Sequence, residues 1–197
     1  MKVIIFDFDG VIADTYDFIK NICDEIGVGV SHEEFKAHHD GNVYETPAIK
    51  FTEQDAKNLV SKYFNQIHTT KFFLTKENLK QLSETYSLNI ISSSEANSIN
   101  KFLKHNEIEF FDEVLGVNFH KSKVHKFNYL FEKYNLKPNE CIFISDTVGD
   151  ILEGHKVDVK TIAVDYGFHD KERLKKANPH KIVSNFDEIL KEINLLN

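Results

Sequence analysis

A series of short apolar runs constrains this chain more than any other feature. They are Val3-Ile4-Ile5-Phe6, Leu88-Asn89-Ile90-Ile91, Val114-Leu115-Gly116-Val117, Cys141-Ile142-Phe143-Ile144, Thr161-Ile162-Ala163-Val164 and the weaker Lys181-Ile182-Val183. Most are continuous rather than alternating, as in strands buried on both faces of a parallel sheet. Helix-period segments lie between them: Leu79, Leu82 and Tyr86; Ile99, Phe102 and Leu103; Val124, Phe127, Leu130, Phe131 and Tyr134; and Phe186, Ile189, Leu190 and Ile193. Ser184, with Asp187 three residues on, predicts the N-cap of the last helix. Strand and helix in alternation predict an α/β fold with a doubly wound, Rossmann-like parallel sheet.

From Thr15 to Thr70 the alternation breaks. No convincing strand occurs there, but Tyr16, Ile19, Cys23 and Ile26 share one helical face, and Ala56, Leu59, Val60, Tyr63, Phe64 and Ile67 another. Thr52, with Asp55 following, is a natural cap for the second helix. Asp40 to Pro47 is the most loop-like part. The expected organisation is a core built from 1–14 and 71–197, with a small all-helical domain, 15–70, inserted after the first strand.

Composition narrows the partners. The 197 residues suffice for one domain with a modest insertion, and 41% hydrophobic with 28% charged residues is ordinary for a globular chain. A net charge of −7 argues against nucleic acid as a partner, which needs clustered Lys and Arg. It does not exclude a phosphate substrate, because a divalent cation and one lysine invert the field of a small cleft. Cys23 and Cys141 form no CxxC pair, and Cys141 reads as a buried thiol. The apolar run at Val3 is too short for a signal segment or a membrane span, so a cytoplasmic location and no membrane partner are expected.

The chemistry concentrates at strand ends. In Phe6-Asp7-Phe8-Asp9-Gly10-Val11-Ile12-Ala13-Asp14-Thr15, two carboxylates follow an apolar strand at its C-terminal end, where open α/β sheets bind ligands, and Gly10 permits a sharp turn. Ile144-Ser145-Asp146-Thr147-Val148-Gly149-Asp150 repeats the arrangement, and a helical turn beginning near Thr147 holds Asp146 and Asp150 on one side. Four carboxylates converging on one edge repel one another unless a cation intervenes, and hard oxygen ligands suit Mg²⁺. Ile90-Ile91-Ser92-Ser93-Ser94 ends a third strand in hydroxyls suited to a phosphoryl oxygen. In His120-Lys121-Ser122-Lys123-Val124, Ser122 is a natural cap for the following helix and a lysine is available to neutralise phosphate.

In this order the four segments resemble the four motifs of the haloacid-dehalogenase superfamily, in its phosphoglycolate phosphatase and β-phosphoglucomutase-like branch. The resemblance implies Asp7 as nucleophile, Asp9 as general acid and base, and Ser92 as the phosphate-binding hydroxyl, with Ser93 and Gly10 beside it. It implies Mg²⁺ on Asp7, Asp146 and the Asp9 backbone carbonyl, with Asp150 supporting the metal through its water shell. The lysine of the third motif has two candidates. Spacing to Asp146 favours Lys121, and the Ser-Lys-Val-x-Lys-Phe pattern favours Lys123. Ser145 stands where many members carry glycine.

The resemblance further implies a phosphatase acting on a small-molecule phosphomonoester beneath a helical cap. Asn42, Tyr44 and Lys50, with His38 and His39, are the candidates for substrate contact. A sugar phosphomutase is the nearest alternative, but those enzymes carry a histidine where this chain has Ile19. Dehalogenases lack the acid equivalent to Asp9, and a catalytically silent binding protein is the alternative of a different class. Monomer and homodimer stay equally open.

Overall fold

A computed structural model describes residues 2–196. Its strands are β1 (Val3–Phe6), β2 (Ala13–Asp14), β3 (Lys71–Phe72), β4 (Ser87–Ile91), β5 (Phe111–Leu115), β6 (Cys141–Ser145), β7 (Lys160–Val164) and β8 (Lys181–Val183). Its helices are α1 (Tyr16–Glu25), α2 (His32–Ala37), α3 (Glu53–Gln66), α4 (Lys76–Ser83), α5 (Ala96–His105), α6 (Lys123–Tyr134), α7 (Val148–His155), α8 (Lys171–Leu174) and α9 (Phe186–Leu195). Six strands form one parallel sheet in the order β5-β4-β1-β6-β7-β8, the doubly wound α/β arrangement expected from the apolar runs.

Register explains where the site lies. Phe6 at the end of β1 pairs level with Ile90 of β4 and Ile144 of β6. The residues that follow these strands therefore leave the sheet side by side. Every residue of β1 and β6 is buried, which is why their sequences are apolar runs, broken only by Ser145 at the end of β6. Ile4 and Phe6 face a large core with Phe102, Leu79 and Ile189, whereas Ile5 meets Phe127, Leu130 and Phe143 on the other face.

Between β2 and β3 the chain makes a helical excursion, and those two short strands pair antiparallel at its neck. Its helices gather a small cluster of Cys23, Phe35 and Ile49, completed by Phe168 from beyond β7. Ile22, Tyr63 and Ile67 instead join the main core, so the excursion is fastened to the sheet along α3. Thr52 and Asp55 form the reciprocal capping box at the start of α3. Among the described residues, no helix is long and apolar enough to cross a membrane.

Two local expectations are corrected, and one short helix is added. The strand expected at Val114–Val117 runs instead over Phe111–Leu115. Gly116 passes so close to Ala96 and Ser94 that a Cβ there would lie 2.3 Å from a backbone nitrogen, and Val117 N–H bonds Ser94 C=O, turning the chain out of the sheet. Asn185, not Ser184, caps α9, accepting from Glu188 N–H; the Ser184 hydroxyl donates to Asp165 instead. The short helix α2, closed by a Ser31–Glu34 capping box, has too few turns to leave a periodic signature.

Candidate active site

The β1 exit loop is shaped by three backbone N–H groups, those of Val11, Ile12 and Ala13, which all turn back to Phe8 C=O. Gly10 sits at φ 74 within this loop, and a Cβ there would fall 2.0 Å from Asp146 Oδ2, so both conformation and space require glycine. Its own N–H donates to Ala13 C=O. Gly10 therefore shapes the turn, with that donor already spent.

Asp7 and Lys123 are the centre of the arrangement. Lys123 is buried at the first turn of α6, and its Nζ lies 3.0 Å from Asp7 Oδ1 and 2.6 Å from Asp150 Oδ2. Burial works against the ammonium charge, but Asp150 and Asp7 outweigh it and hold the Lys123 pKa above the ordinary lysine value. Burial raises the Asp7 pKa well above the usual carboxylate range, with Asp150 and Asp146 adding to it and Lys123 opposing. Asp150 is lowered: burial is outweighed by Lys123 and by hydrogen bonds, including one from Ser145 Oγ at 2.5 Å. Serine in place of glycine before Asp146 thus supplies a donor to Asp150.

Asp146 is fully buried at the end of β6. Its Oδ2 accepts from Phe168 N–H at 2.6 Å, but its Oδ1 has no hydrogen-bond partner. Burial pushes its pKa up to about 8, with Phe168 N–H opposing and Asp150 adding to the rise. An orphaned buried carboxylate oxygen beside two more carboxylates has a lone pair that could ligate a cation. Among the described residues, no three Asp, Glu, His or Cys side chains form a ready-made cage.

Asp9 is held differently. Its Oδ1 accepts from Tyr63 of α3 at 2.7 Å and its Oδ2 from Ser94 at 2.6 Å. Burial raises its pKa, and these hydroxyls partly oppose the rise. Ser92 is buried, its Oγ accepting from Ser94 N–H and its carbonyl from Lys126 Nζ. Ser93 C=O accepts from the Tyr44 hydroxyl at 2.7 Å.

The remaining candidates separate. Lys121 is exposed and stacks its ammonium 5.6 Å above the Tyr44 ring, making no ion pair with the strand-end carboxylates among the described residues. Asn42 donates to Glu153 and to Lys121 C=O, so with Tyr44 it lies at the rim of the site. Lys50 is exposed and has no hydrogen bond or ion pair among the described residues. His38 accepts from Ile49 N–H, and His39 packs on Phe168 with its Nδ1 bonded to Phe35 C=O. Burial lowers both imidazole pKa values, that of His39 to about 3.

A family model for haloacid dehalogenase-like hydrolases matches residues 4–164. This chain belongs to that family. Pyrophosphatase PpaX of Oceanobacillus iheyensis is 24% identical over 96% of this chain and 95% of its own length. Phosphoglycolate phosphatase of Vibrio parahaemolyticus is 24% identical over 60% of this chain, a match spanning only 54% of that relative. Among solved structures, a haloacid dehalogenase-like hydrolase from Streptococcus pneumoniae superposes with TM-score 0.81 at 21% identity, covering 98% of each chain. A predicted phosphoglycolate phosphatase from Haemophilus somnus does so with TM-score 0.75 at 22% identity, again over 98% of each.

Several residues around this family member's strand-end acids carry no distinguishing sequence signal. In the sequence Ser94, two beyond Ser92, is one of a run of serines, and Tyr63 belongs to an apolar helix face. Glu153 gathers Lys123 N–H, Ser122 Oγ and Asn42 onto one carboxylate oxygen at the start of α6. Lys126 is a wholly buried lysine, pushed down to about 7 by burial and by Lys123. Arg173 forks onto Asp40 at 2.7 and 2.6 Å and also reaches Glu33. A lone glutamate, lysine or arginine on a helix has no sequence signal that separates it from a solvated neighbour.

Proposed function

We propose that the chain is a Mg²⁺-dependent phosphatase that hydrolyses a small-molecule phosphomonoester through an aspartyl-phosphate on Asp7. The observation that carries this reading is the buried Lys123 ammonium bridging Asp7 and Asp150 at the strand ends, beside the unpartnered Asp146 oxygen. The phosphoglycolate phosphatases and the pyrophosphatase among its relatives support a small phosphorylated substrate.

The donor set fits magnesium. Mg²⁺ binds through one or two carboxylates and completes its shell with water and substrate phosphate, so two converging aspartates suffice. Asp7, Asp146 and the Asp9 carbonyl would hold it, with Asp150, already committed to Lys123 and Ser145, supporting through water. When bound, it supplies positive charge against the phosphoryl oxygens and keeps Asp7 ionised. Lys123 adds a second positive charge. Ser92 and Ser93 at the end of β4 are the expected phosphate contacts.

An Asp7 carboxylate oxygen attacks phosphorus while the bond to the leaving oxygen breaks. Asp9 gives that oxygen a proton, then takes one from the water that cleaves the acyl phosphate. Positioning and charge neutralisation provide most of the acceleration. The excursion 15–70 acts as a cap whose Tyr44 and Asn42 close the rim and exclude water. Ile19 packs in an apolar cluster, which supports transfer to water over transfer to a sugar. A cytoplasmic location accords with this substrate class.

The test is turnover of p-nitrophenyl phosphate with and without Mg²⁺, in the wild type and in Asp7→Asn. Metal-dependent turnover abolished by the substitution supports the reading. A wild type that neither turns over substrate nor binds beryllofluoride in the presence of Mg²⁺ refutes it.

A further inference from the structure

The most unusual contact at this site comes from outside the four motifs. Tyr63 lies on α3, within the excursion, and is only 6% exposed. Its ring rests against Phe18, and its neighbours Ile22 and Ile67 are buried in the main core. Just beyond it, Lys101 of α5 donates to the carbonyls of Phe64 and Asn65 and covers the Phe64 ring. The Tyr63 side chain is thus locked to the core, and its hydroxyl ends 2.7 Å from Asp9 Oδ1.

The other Asp9 oxygen takes the Ser94 hydroxyl at 2.6 Å, from the core side. Two donors from two different elements, one on each oxygen, leave the carboxylate a single orientation. The Tyr63 hydroxyl is the donor in this bond, because an ionised carboxylate can only accept. A tyrosine hydroxyl buried without a partner would be costly, and Asp9 is the partner it has.

Resting on the phosphatase reading above, we propose that Tyr63 is a positioning residue for Asp9. Its hydroxyl fixes Oδ1, turns Oδ2 toward the leaving oxygen, and makes proton transfer to that oxygen depend on α3 being seated against the core. Ser94 is the contact that the leaving oxygen displaces. Asp9 does its work as an acid only for leaving groups that need a proton, so the contribution of Tyr63 scales with leaving-group basicity.

The experiment compares kcat/KM for phenyl phosphate and p-nitrophenyl phosphate in the wild type and Tyr63→Phe, with Mg²⁺ present. The two substrates share the phenyl phosphate frame and differ by a nitro group para to the ester oxygen, which makes phenolate the poorer leaving group. Because kcat/KM stops at formation of the acyl phosphate, it isolates the protonation step. The expected result is a loss of about tenfold or more with phenyl phosphate and about twofold with p-nitrophenyl phosphate. In an Asp9→Asn background, Tyr63→Phe is expected to change neither. Equal losses on both substrates, no loss on either, or a variant that does not fold would overturn the proposal and leave Tyr63 a structural residue. A wild type inactive on both substrates would instead refute the phosphatase reading itself.

Discussion

The strand-end cluster and the helical excursion are held by opposite means. At the strand ends, Asp7, Asp146, Asp150 and Lys123 crowd together in a buried space, where like charges coexist because an ammonium lies between two of them. The excursion touches the core through separate contacts of ordinary polarity: Tyr63 on Asp9, Tyr44 on Ser93 C=O, Asn42 on Glu153, Gly149 N–H on His39 C=O, and Arg173 on Asp40. The first region is dense and strained electrostatically, so single changes there are expected to be severe. The second is distributed, so apart from Tyr63, which reaches Asp9, the loss of any one contact is expected to be milder.

That contrast can be broken from the dense side first. Asp7→Asn removes the proposed nucleophile and is expected to lower kcat by about 10⁴-fold or more, read as steady-state turnover. Residual activity within tenfold of wild type would place the chemistry elsewhere. Next in size, Lys123→Met leaves Asp7 and Asp150 facing each other unneutralised. The metal-free variant is expected to lose about 3 kcal/mol in denaturant unfolding at neutral pH. The deficit should shrink toward acid pH as the pair takes up a proton.

Asp146 sharpens the comparison through pH. Its pKa is raised to about 8 in the folded protein, against about 4 for an unfolded aspartate. The folded state therefore binds a proton that the unfolded state has released. This contribution is full below about pH 4 and is lost as pH rises toward 8, so the metal-free protein should weaken across that window. Saturating Mg²⁺ should reverse the loss at the upper end, by about 2.7 kcal/mol at a hundredfold excess over Kd. Thermal melts of wild type and Asp146→Asn, each with and without Mg²⁺, check this; an unchanged Mg²⁺ shift in the variant would remove Asp146 from the proposed metal site.

The smallest effect belongs to the distributed side. Arg173 is largely buried while Asp40 and Glu33 are partly or mostly exposed, so solvent screens the pairs. Arg173→Ala is expected to cost about 1 kcal/mol and to raise KM severalfold with kcat held, since it loosens the excursion without touching the reacting groups. A fall in kcat comparable to that of Asp7→Asn would show that the two regions are not separable.

The fold was legible because its signals are local and repeated. A strand buried on both faces is mostly apolar, so β1, β4, β6 and β7 announce themselves despite Asn89, Ser145 and Thr161, and Thr52 with Asp55 marks the start of α3. The edge strand β5 was misplaced because, with one side unpaired and its residues only half buried, its sequence Phe-Asp-Glu-Val-Leu carries charges that a central strand could not. The strand-end acids were legible for the same reason of contiguity: each sits within a few residues of the strand that positions it.

Sequence by itself determined the parallel α/β sheet, the helical excursion after the first strand, and the acids Asp7, Asp9, Asp146 and Asp150 that leave its C-terminal edge. Only the tertiary structure separates Lys121 from Lys123: they flank the Ser122 cap of α6, and Lys123 meets the strand-end carboxylates while Lys121 lies exposed against the Tyr44 ring. It alone joined Tyr63 and Ser94 to Asp9, across 54 and 85 residues. Periodicity records which face of an element is buried. Which polar atom meets which is set by how separate elements dock, and no local pattern encodes that.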